Sequence, residues 1–306
     1  MKVLVAGATG AIGRPLIAEL RRAGHDVLAL HRTTDAAGPL RASDATPVRA
    51  DVLDRRGLLA ALAGLQADAV IAELTALKKT PIRHRDMAMT DRLRTEGTAN
   101  LVAAARALGA RRLVTQSIVF GYGFGDWGGR VLTEADPFGP PGRGRFEDHV
   151  AALRSNEHQV LTADGLIGTA LRYGLFYGPG PASANMVDGV RRRRLPVVRR
   201  GGPLPWVSIG DAATATAAAL HAPGGAYNVV DDLPVSLSDM ITATAQIVGA
   251  PKPRVLPEFA LALTPYARSV MKGGLMVSNA KAQAELGWVL RAPTYREGLA
   301  ELAGSF

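Results

Sequence analysis

Apolar positions along the chain fall into short runs separated by longer segments of mixed character. The first run covers residues 2–6. It is followed by 11–23, where Ile12, Leu16, Ile17 and Leu20 share one face at helical spacing and Gly24 ends the periodicity. The same reading predicts strands at 26–30, 47–52, 67–72, 111–115 and 168–173. Helices are predicted at 55–64, at 86–108 with Gly109 as its stop, and at 147–163. Repeated βα units of this length predict an α/β fold: a Rossmann-type, doubly wound parallel sheet with helices on both faces.

The pattern loosens after Tyr177. Pro and Gly cluster at 178–181, 201–205 and 251–257, while helical stretches remain at 212–220, 237–248 and 280–286 and a short strand at 226–230. This predicts a dinucleotide-binding domain over 1–178 with returns around 206–230. A smaller C-terminal substrate-binding lobe is expected from 179–205 and 231–306.

Composition narrows the class. A length of 306 residues allows one large domain or two ordinary ones. The absence of cysteine excludes disulfides, thiolate nucleophiles and the common zinc-finger ligand sets. Hydrophobic content of 47% and charged content of 21% are globular values. No apolar run approaches the roughly 18–20 residues of a membrane span, and the run after Lys2 is too short for a secretory signal core, so a cytoplasmic protein is expected. A net charge of +9 raises nucleic acid as a partner, but Arg outnumbers Lys about five to one, as GC-rich coding produces. Aromatic content is only 5%, too little for base-stacking platforms. Neither nucleic acid nor membrane is expected as a partner, and the six histidines show no metal-ligand spacing, so no metal is expected.

Between the first strand and helix the chain reads Gly7, Ala8, Thr9, Gly10, Ala11, Ile12, Gly13. The three glycines suit a tight turn, close backbone approach to a pyrophosphate, and close packing of helix on strand. The helix N-terminus behind them offers free N–H groups to phosphate. At the end of the second strand stand His31, Arg32, Thr33 and Thr34, with no carboxylate before Asp35. An NAD site ordinarily places an acid there; a guanidinium suits the 2′-phosphate of NADP(H), which is the expected cofactor. Arg32 as a merely solvated residue is the plainer alternative.

With this site in place the chain resembles the extended short-chain dehydrogenase/reductase family, on its epimerase/dehydratase-like side. The resemblance covers nearly the whole length. Asp51-Val52 resembles the pair that holds adenine, and residues 96–101 (Glu-Gly-Thr-Ala-Asn-Leu) the family's Gly-Thr helix. Leu171-Arg172 through Tyr177-Gly178-Pro179-Gly180, Trp206 to Asp211, and Leu286-Gly287-Trp288 match further family motifs. The resemblance implies cofactor contacts from Glu73, Leu74 and Thr75 after the fourth strand, and from Tyr173, Gly174 and Leu175 at the nicotinamide end.

The family's catalytic set is not reproduced. Residues four after the tyrosines at 122, 173, 177, 227, 266 and 295 are Asp126, Tyr177, Pro181, Asp231, Val270 and Leu299, so no Tyr-x-x-x-Lys exists. Aligning Glu157 with the acid that often follows the Lys puts His149 in the Tyr slot and Leu153 in the Lys slot. Residues 115–121 (Thr-Gln-Ser-Ile-Val-Phe-Gly) put Gln116 in the catalytic Ser slot with Ser117 beside it, and Arg94 falls where the family carries Asn. Ser117, His149 and Gln116 are the candidate catalytic residues, although a His on an amphipathic helix is more often a surface or half-buried structural residue. Three readings follow: an atypical ketoreductase, a non-catalytic NADP(H) sensor, or an epimerase/dehydratase. The first is preferred. It resembles antibiotic-tailoring ketoreductases of simocyclinone type that reduce aromatic polyketides, with the substrate supplying part of its own protonation.

The Gly-rich stretch 120–129 carries Phe120, Tyr122 and Phe124, which with Trp206 are the candidate contacts for a bulky aromatic ketone; an ordinary loop with aromatics tucked inward is the plainer account. The arginines at 191–194, 199 and 200 suit a solvated helix end or an acidic partner, and Lys78-Lys79 follow the fourth strand.

Overall fold

The computed structural model describes residues 1–77, 84–123, 127–141, 146–199, 201–257 and 274–303. Seven parallel strands form the central sheet. They are β1 (Lys2–Ala6), β2 (Asp26–His31), β3 (Thr46–Arg49), β4 (Ala69–Ala72), β5 (Arg112–Ile118), β7 (Ile167–Tyr173) and β11 (Gly225–Val229), in the order β11-β7-β5-β4-β1-β2-β3. The two-residue β6 (Val131–Leu132) lies outside this sheet. The chain builds outward from β1 to β3, then crosses back to β4 on the other side of β1. The strand order therefore reverses between β1 and β4, and a crevice opens there at the C-terminal strand ends.

Alternate residues of β1 feed two cores. Val3 and Val5 pack with Leu16, Ile17 and Leu20 of α1 (Gly13–Arg22) and with Ala212 and Ala215 of α8 (Ile209–Ala218). Leu40 of the short α2 (Ala37–Ala42), which links β2 to β3, joins the same cluster. Leu4 and Ala6 pack with Leu58 and Leu62 of α3 (Arg55–Leu62) and Leu101 and Ala104 of α5 (Thr98–Ala107). Burial on both faces is why these strands read as continuous apolar runs rather than alternating ones. β3 ends earlier than expected, and its Pro47 sits on the sheet edge, where a missing N–H costs no ladder bond.

The long helix expected over 86–108 is instead three pieces: α4 (Ala88–Arg92), a π segment (Leu93–Gly97) and α5. Thr95 Oγ1 donates to the Asp91 carbonyl, and Thr98 Oγ1 lies 3.4 Å from the Leu93 carbonyl five residues back. Hydroxyls bonding backward along the helix loosen its repeat, and such single-turn π segments favour functional sites. β5 runs three residues beyond its predicted end. The predicted helix near 147–163 is α6 (Phe146–Leu161).

Beyond β8 (Leu175–Tyr177), which pairs in parallel with β10 (Trp206–Ser208), the chain forms α7 (Pro181–Arg191), β9 (Val197–Val198), α9 (Leu237–Ile247) and a final helix Tyr295–Ala303. α7 hides in a stretch that reads as a Pro/Gly loop because Pro181 occupies its first turn, where proline's fixed φ and missing N–H fit a helix start. Tyr177, Leu204, Trp206, Val235, Met240, Leu299 and Leu302 form a cluster separate from those flanking the main sheet. Of the basic run, Arg192 and Arg194 pair with Asp188 and are exposed.

One buried ion pair ties these parts together. Arg172 of β7 holds Glu157 of α6, Nη2 to Oε2 at 2.8 Å and Nε to Oε1 at 3.0 Å. Both side chains are 6% exposed. Arg172 Nη1 also donates to Tyr122 Oη, and Tyr122 donates to Asn228 of β11. Glu157→Ala strands the Arg172 charge in the interior. The expected cost is about 3–5 kcal/mol, read from urea denaturation, because the uncompensated cation remains buried.

Candidate active site

The glycine turn at the crevice is defined by what a side chain would strike. Gly7 has φ +91°, and a Cβ on it would lie 2.1 Å from the Glu73 carbonyl oxygen. A Cβ on Gly13 would lie 2.4 Å from the Gly7 carbonyl, and Gly10 N donates to that same oxygen at 2.8 Å. The loop therefore seats directly on the end of β4. Ala8 and Ile12 are buried beneath it, Ala11 is half-buried and Thr9 is exposed. The N-terminus of α1 has no side-chain cap and no acid in its first turn. Its donors and partial positive charge are open to a dinucleotide diphosphate, so these residues fit such a group.

The adenine end is built from the loop after β3. Val52 is buried, and its carbonyl accepts from Asn100 Nδ2 at 2.8 Å; Asp51 is exposed and accepts from Leu53 N. At the end of β2, His31 is buried with Nδ1 2.8 Å from the Thr33 carbonyl, which orients the turn. Arg32 and Thr33 are exposed, and the Arg32 guanidinium has no hydrogen bond or ion pair among the described residues. Leu74 is half-buried, and exposed Thr75 accepts from Leu77 N.

Glu73 is 2% exposed. Its Oε1 accepts from Tyr173 Oη at 2.9 Å, and Tyr173 Oη lies 2.6 Å from Thr216 Oγ1. Glu73 Oε2 is buried without a partner among the described residues. Burial raises this carboxyl to about 8, with the Tyr173 hydrogen bond opposing. The Tyr173 hydroxyl is thus committed below the crevice and pushed well above its ordinary range, first by burial and then by Glu73. Gly174 has its Cβ position 2.8 Å from the Pro205 carbonyl, and Leu175 N donates to that carbonyl. These contacts fix the β7–β8 corner at the nicotinamide end.

The candidate catalytic residues separate. Ser117 does not offer its hydroxyl to the crevice: it is 1% exposed and donates to Glu157 Oε1 at 2.6 Å, because the pleat of β5 turns it toward α6. Gln116 points to the opposite face, half-buried, and its carboxamide makes no hydrogen bond among the described residues. His149 is 9% exposed in the first turn of α6, with Nδ1 2.5 Å from Asp91 Oδ2 and Nε2 2.9 Å from His84 Nδ1. Asp91 Oδ1 lies 3.7 Å from Arg94 Nη1. Burial lowers Arg94 to about 10, against the pull of Asp91. Asp91 and His84 were invisible as site residues in the sequence; the spacing of Asp91 and Arg94, one turn apart on a predicted helix, was the available signal.

The aromatic candidates mostly serve the core. Tyr122 is 1% exposed, with its hydroxyl held by Arg172, Asn228 and the Thr133 carbonyl. Trp206 is 3% exposed and donates its indole N–H to the Val235 carbonyl. Neither presents a free face to substrate. Phe120 is half-buried where two apolar clusters meet. Phe124, Lys78, Lys79 and Arg200 lie outside the described residues. No group of three or more metal-ligating side chains is found among the described residues. No described helix is long and apolar enough to cross a membrane.

The sequence model of the NAD dependent epimerase/dehydratase family matches residues 3–230. The chain belongs to this family. It is 40% identical, over 98% of its length and 99% of the other, to a 3-diazoavenalumate denitrifying reductase of a Streptomyces species. It is 26% identical to a 4-hydroxy-2-methyl-3-oxo-4-farnesyl-3,4-dihydroquinoline-1-oxide ketoreductase of Stigmatella aurantiaca, over 81% of this chain and 74% of that one. Among solved structures, the NAD complex of UDP-glucose 4-epimerase from Thermus thermophilus superposes with a TM-score of 0.78 at 25% identity, covering 99% and 98% of the two chains. This family member is an NAD(P)-dependent oxidoreductase, similar to enzymes named as reductases.

The Glu73 environment gives a stability prediction. The folded carboxyl titrates about 8, above the ordinary carboxylate range of the unfolded chain. Between those values only the unfolded state ionises, so this group's contribution is present at low pH and is lost as pH rises toward 8. Glu73→Gln removes the titration. Its stability relative to wild type should improve by a few kcal/mol between pH 5 and pH 8, at about 1.4 kcal/mol per unit, read from urea midpoints at the two pH values.

Proposed function

We propose that this reductase uses NADPH to reduce a bulky aromatic substrate whose electrophilic group is conjugated to an oxygen, and that it does so without the family's Tyr/Lys pair. The observation that carries this reading is the combination of an intact dinucleotide cradle with an Asp91–His149–His84 hydrogen-bonded array in the position of the missing tyrosine. When bound, the nicotinamide supplies a hydride. The chain's own residues have to seat the dinucleotide, hold the acceptor at its C4 edge, and manage one proton.

Arg32 supports the choice of NADPH. Its guanidinium is exposed at the end of β2 beside the hydroxyls of Thr33 and Thr34, and no carboxylate precedes exposed Asp35. Arg32→Glu should weaken NADPH binding about 10–100-fold, the worth of a charge-assisted hydrogen bond, and leave NADH binding unchanged or tighter. Fluorescence titration of the two cofactors reads this directly.

The favoured acceptor is a diazo group on an aryl ring with an ortho hydroxyl; the relative with 40% identity over nearly the full length is named for a diazo compound. Taken up as its neutral quinone diazide, such a compound gains a proton on oxygen and a hydride on the terminal nitrogen. In the hydroxyaryl diazene so formed the C–N bond then breaks, its N–H hydrogen passes to the ring carbon, and a phenol and dinitrogen leave. No alkoxide forms, so a tyrosinate-stabilising lysine is dispensable. The second reading is an aromatic ketone with an adjacent phenol, favoured by the similarity to a quinoline-oxide ketoreductase. There the phenol shares its proton with the carbonyl oxygen, and a carbinol is the product. Cytoplasmic tailoring of aromatic antibiotics is the setting that goes with either substrate.

Incubation with NADPH and each substrate class tests the reading. Absorbance loss at 340 nm with stoichiometric dinitrogen release supports the diazo acceptor. Absorbance loss with carbinol formation supports the ketone. Tight NADPH binding with no turnover of either class supports a sensor, and an epimerised product without net cofactor consumption supports an epimerase.

A further inference from the structure

His84 was not a candidate, yet it ends the only hydrogen-bonded chain of ionisable rings at the crevice among the described residues. Three elements contribute. Asp91 sits in α4, the helix that follows β4; His149 lies in the first turn of α6, which follows β5; His84 lies in the short turn His84–Asp86 ahead of α4. Helices that follow strands of a parallel sheet begin at its C-terminal edge, so all three residues stand at the end where the cofactor crevice opens.

With Asp91 ionised and His149 neutral, the hydrogen bonds leave one arrangement of protons. An ionised Asp91 can only accept, so His149 Nδ1 carries the hydrogen in the 2.5 Å contact. Neutral His149 then has a lone pair on Nε2, and His84 Nδ1 must donate across the 2.9 Å contact. The two rings lie within 17° of parallel, with centroids 5.2 Å apart. Both nitrogens of His149 are thereby used, and the ring is buried. His84 is exposed, and its Nε2 is left as the one ring nitrogen of the pair that faces outward with no bond among the described residues. Arg94, half-buried and 3.7 Å from Asp91, offsets the carboxylate, so the array carries no net charge while His84 is neutral and one positive charge once it is protonated. The other charged or titratable groups on the same elements are Arg85 and Asp86, Arg92 paired with Glu96, Glu147 paired with Arg154, Asp148, Glu157 paired with Arg172, and His158.

We propose that His84 is the catalytic acid of the reduction, and that His149 and Asp91 are positioning residues that fix its tautomer and aim Nε2 into the crevice. This rests on the reductase reading above. In the step, the Nε2–H bond of the His84 imidazolium breaks and an O–H bond forms on the substrate oxygen. His84 is left neutral with Nδ1–H still on His149, and solvent returns a proton to the exposed Nε2. The same transfer serves a quinone diazide and a ketone, because both receive the proton on oxygen. The slot left by the tyrosine is then filled by His149, but the donor is its outer neighbour.

The test has two arms. Long-range ¹H–¹⁵N spectra of the histidine rings in the free protein report tautomers without any substrate. The expected pattern is His149 as the Nδ1–H form with the His84 hydrogen on Nδ1 toward it; His149 found as the Nε2–H form overturns the relay. In turnover, His84→Gln should lower kcat about 100-fold or more with unchanged NADPH affinity and lose the acidic-group limb of the pH profile. His84→Ala should be rescued by free imidazole. Asp91→Asn should keep NADPH affinity, lower kcat less, and displace that limb. A His84→Gln enzyme with the wild-type rate and pH profile overturns the role of His84 as acid. A wild type that shows the expected tautomers but turns over neither substrate class overturns the reductase reading, so the two failures are told apart.

Discussion

The buried pair of Glu157 and Arg172 is the constraint around which the site is arranged. Desolvating two full charges is favourable only when every remaining donor and acceptor is used. Here Ser117, Tyr122 and Asn228 complete the set, and the Phe138 ring lies 3.8 Å from the guanidinium carbon. The network joins β5, α6, β7 and β11, the half of the sheet beyond the glycine loop. It also decides which residues remain for chemistry. Ser117 is absorbed as a structural donor, and Gln116 on the opposite pleat keeps a carboxamide with no hydrogen bond among the described residues. The Glu157 register also places His149 two turns earlier on the same helix face, with buried Leu153 between them.

The central sheet and the dinucleotide cradle were legible from sequence because each rests on a local rule. Strands buried on both faces read as apolar runs, and Gly7, Gly10 and Gly13 stand where backbone atoms approach too closely for a Cβ. The hidden features depend on contacts distant in sequence. Nothing near residue 84 signals that its imidazole meets one 65 residues away. The commitment of Ser117 to Glu157, 40 residues on, is equally invisible. The hydroxyls of Thr95 and Thr98 turn a predicted continuous helix into one with a π segment, and helix periodicity cannot show that. For the aromatic loop, composition left two accounts open, substrate contact or aromatics tucked inward; among the described residues Tyr122 packs inward because its hydroxyl completes the ion-pair network.

Electrostatics under the crevice follow one logic. Glu73 lies immediately beneath the loop that seats a diphosphate, where an ionised carboxylate would oppose the anion. Burial keeps it neutral up to about 8, as it does Asp231, whose partner is Tyr177 of the Tyr-Gly-Pro-Gly motif and which is likewise held at about 8. Both carboxyls leave one oxygen unpartnered among the described residues, which a neutral acid tolerates far better than an anion. Positive potential above them comes from the helix N-terminus and from Arg32. The net charge of the chain contributes little to this local arrangement. What matters is that the buried acid beneath the glycine loop is kept protonated.

Replacing a tyrosine–lysine pair by an Asp–His–His array changes more than the identity of the donor. A phenol needs a nearby cation to lower its pKa toward neutrality, and Leu153 in the lysine position, 4% exposed, supplies none. An imidazole needs no such help, since the class titrates near neutral pH, but it needs its tautomer fixed and a charge to steady the protonated form. Asp91 reaches His84 through His149, with Nδ1 of His149 2.5 Å from Asp91 Oδ2, and Arg94 lies 3.7 Å from the other carboxylate oxygen. The departures at positions 94, 149 and 153 therefore belong together, with Asp91 and His84 as their partners. Restoring a tyrosine at 149 alone would leave it without a lysine and would cut His84 from Asp91. Recovery of the family's usual chemistry would require rebuilding the whole array.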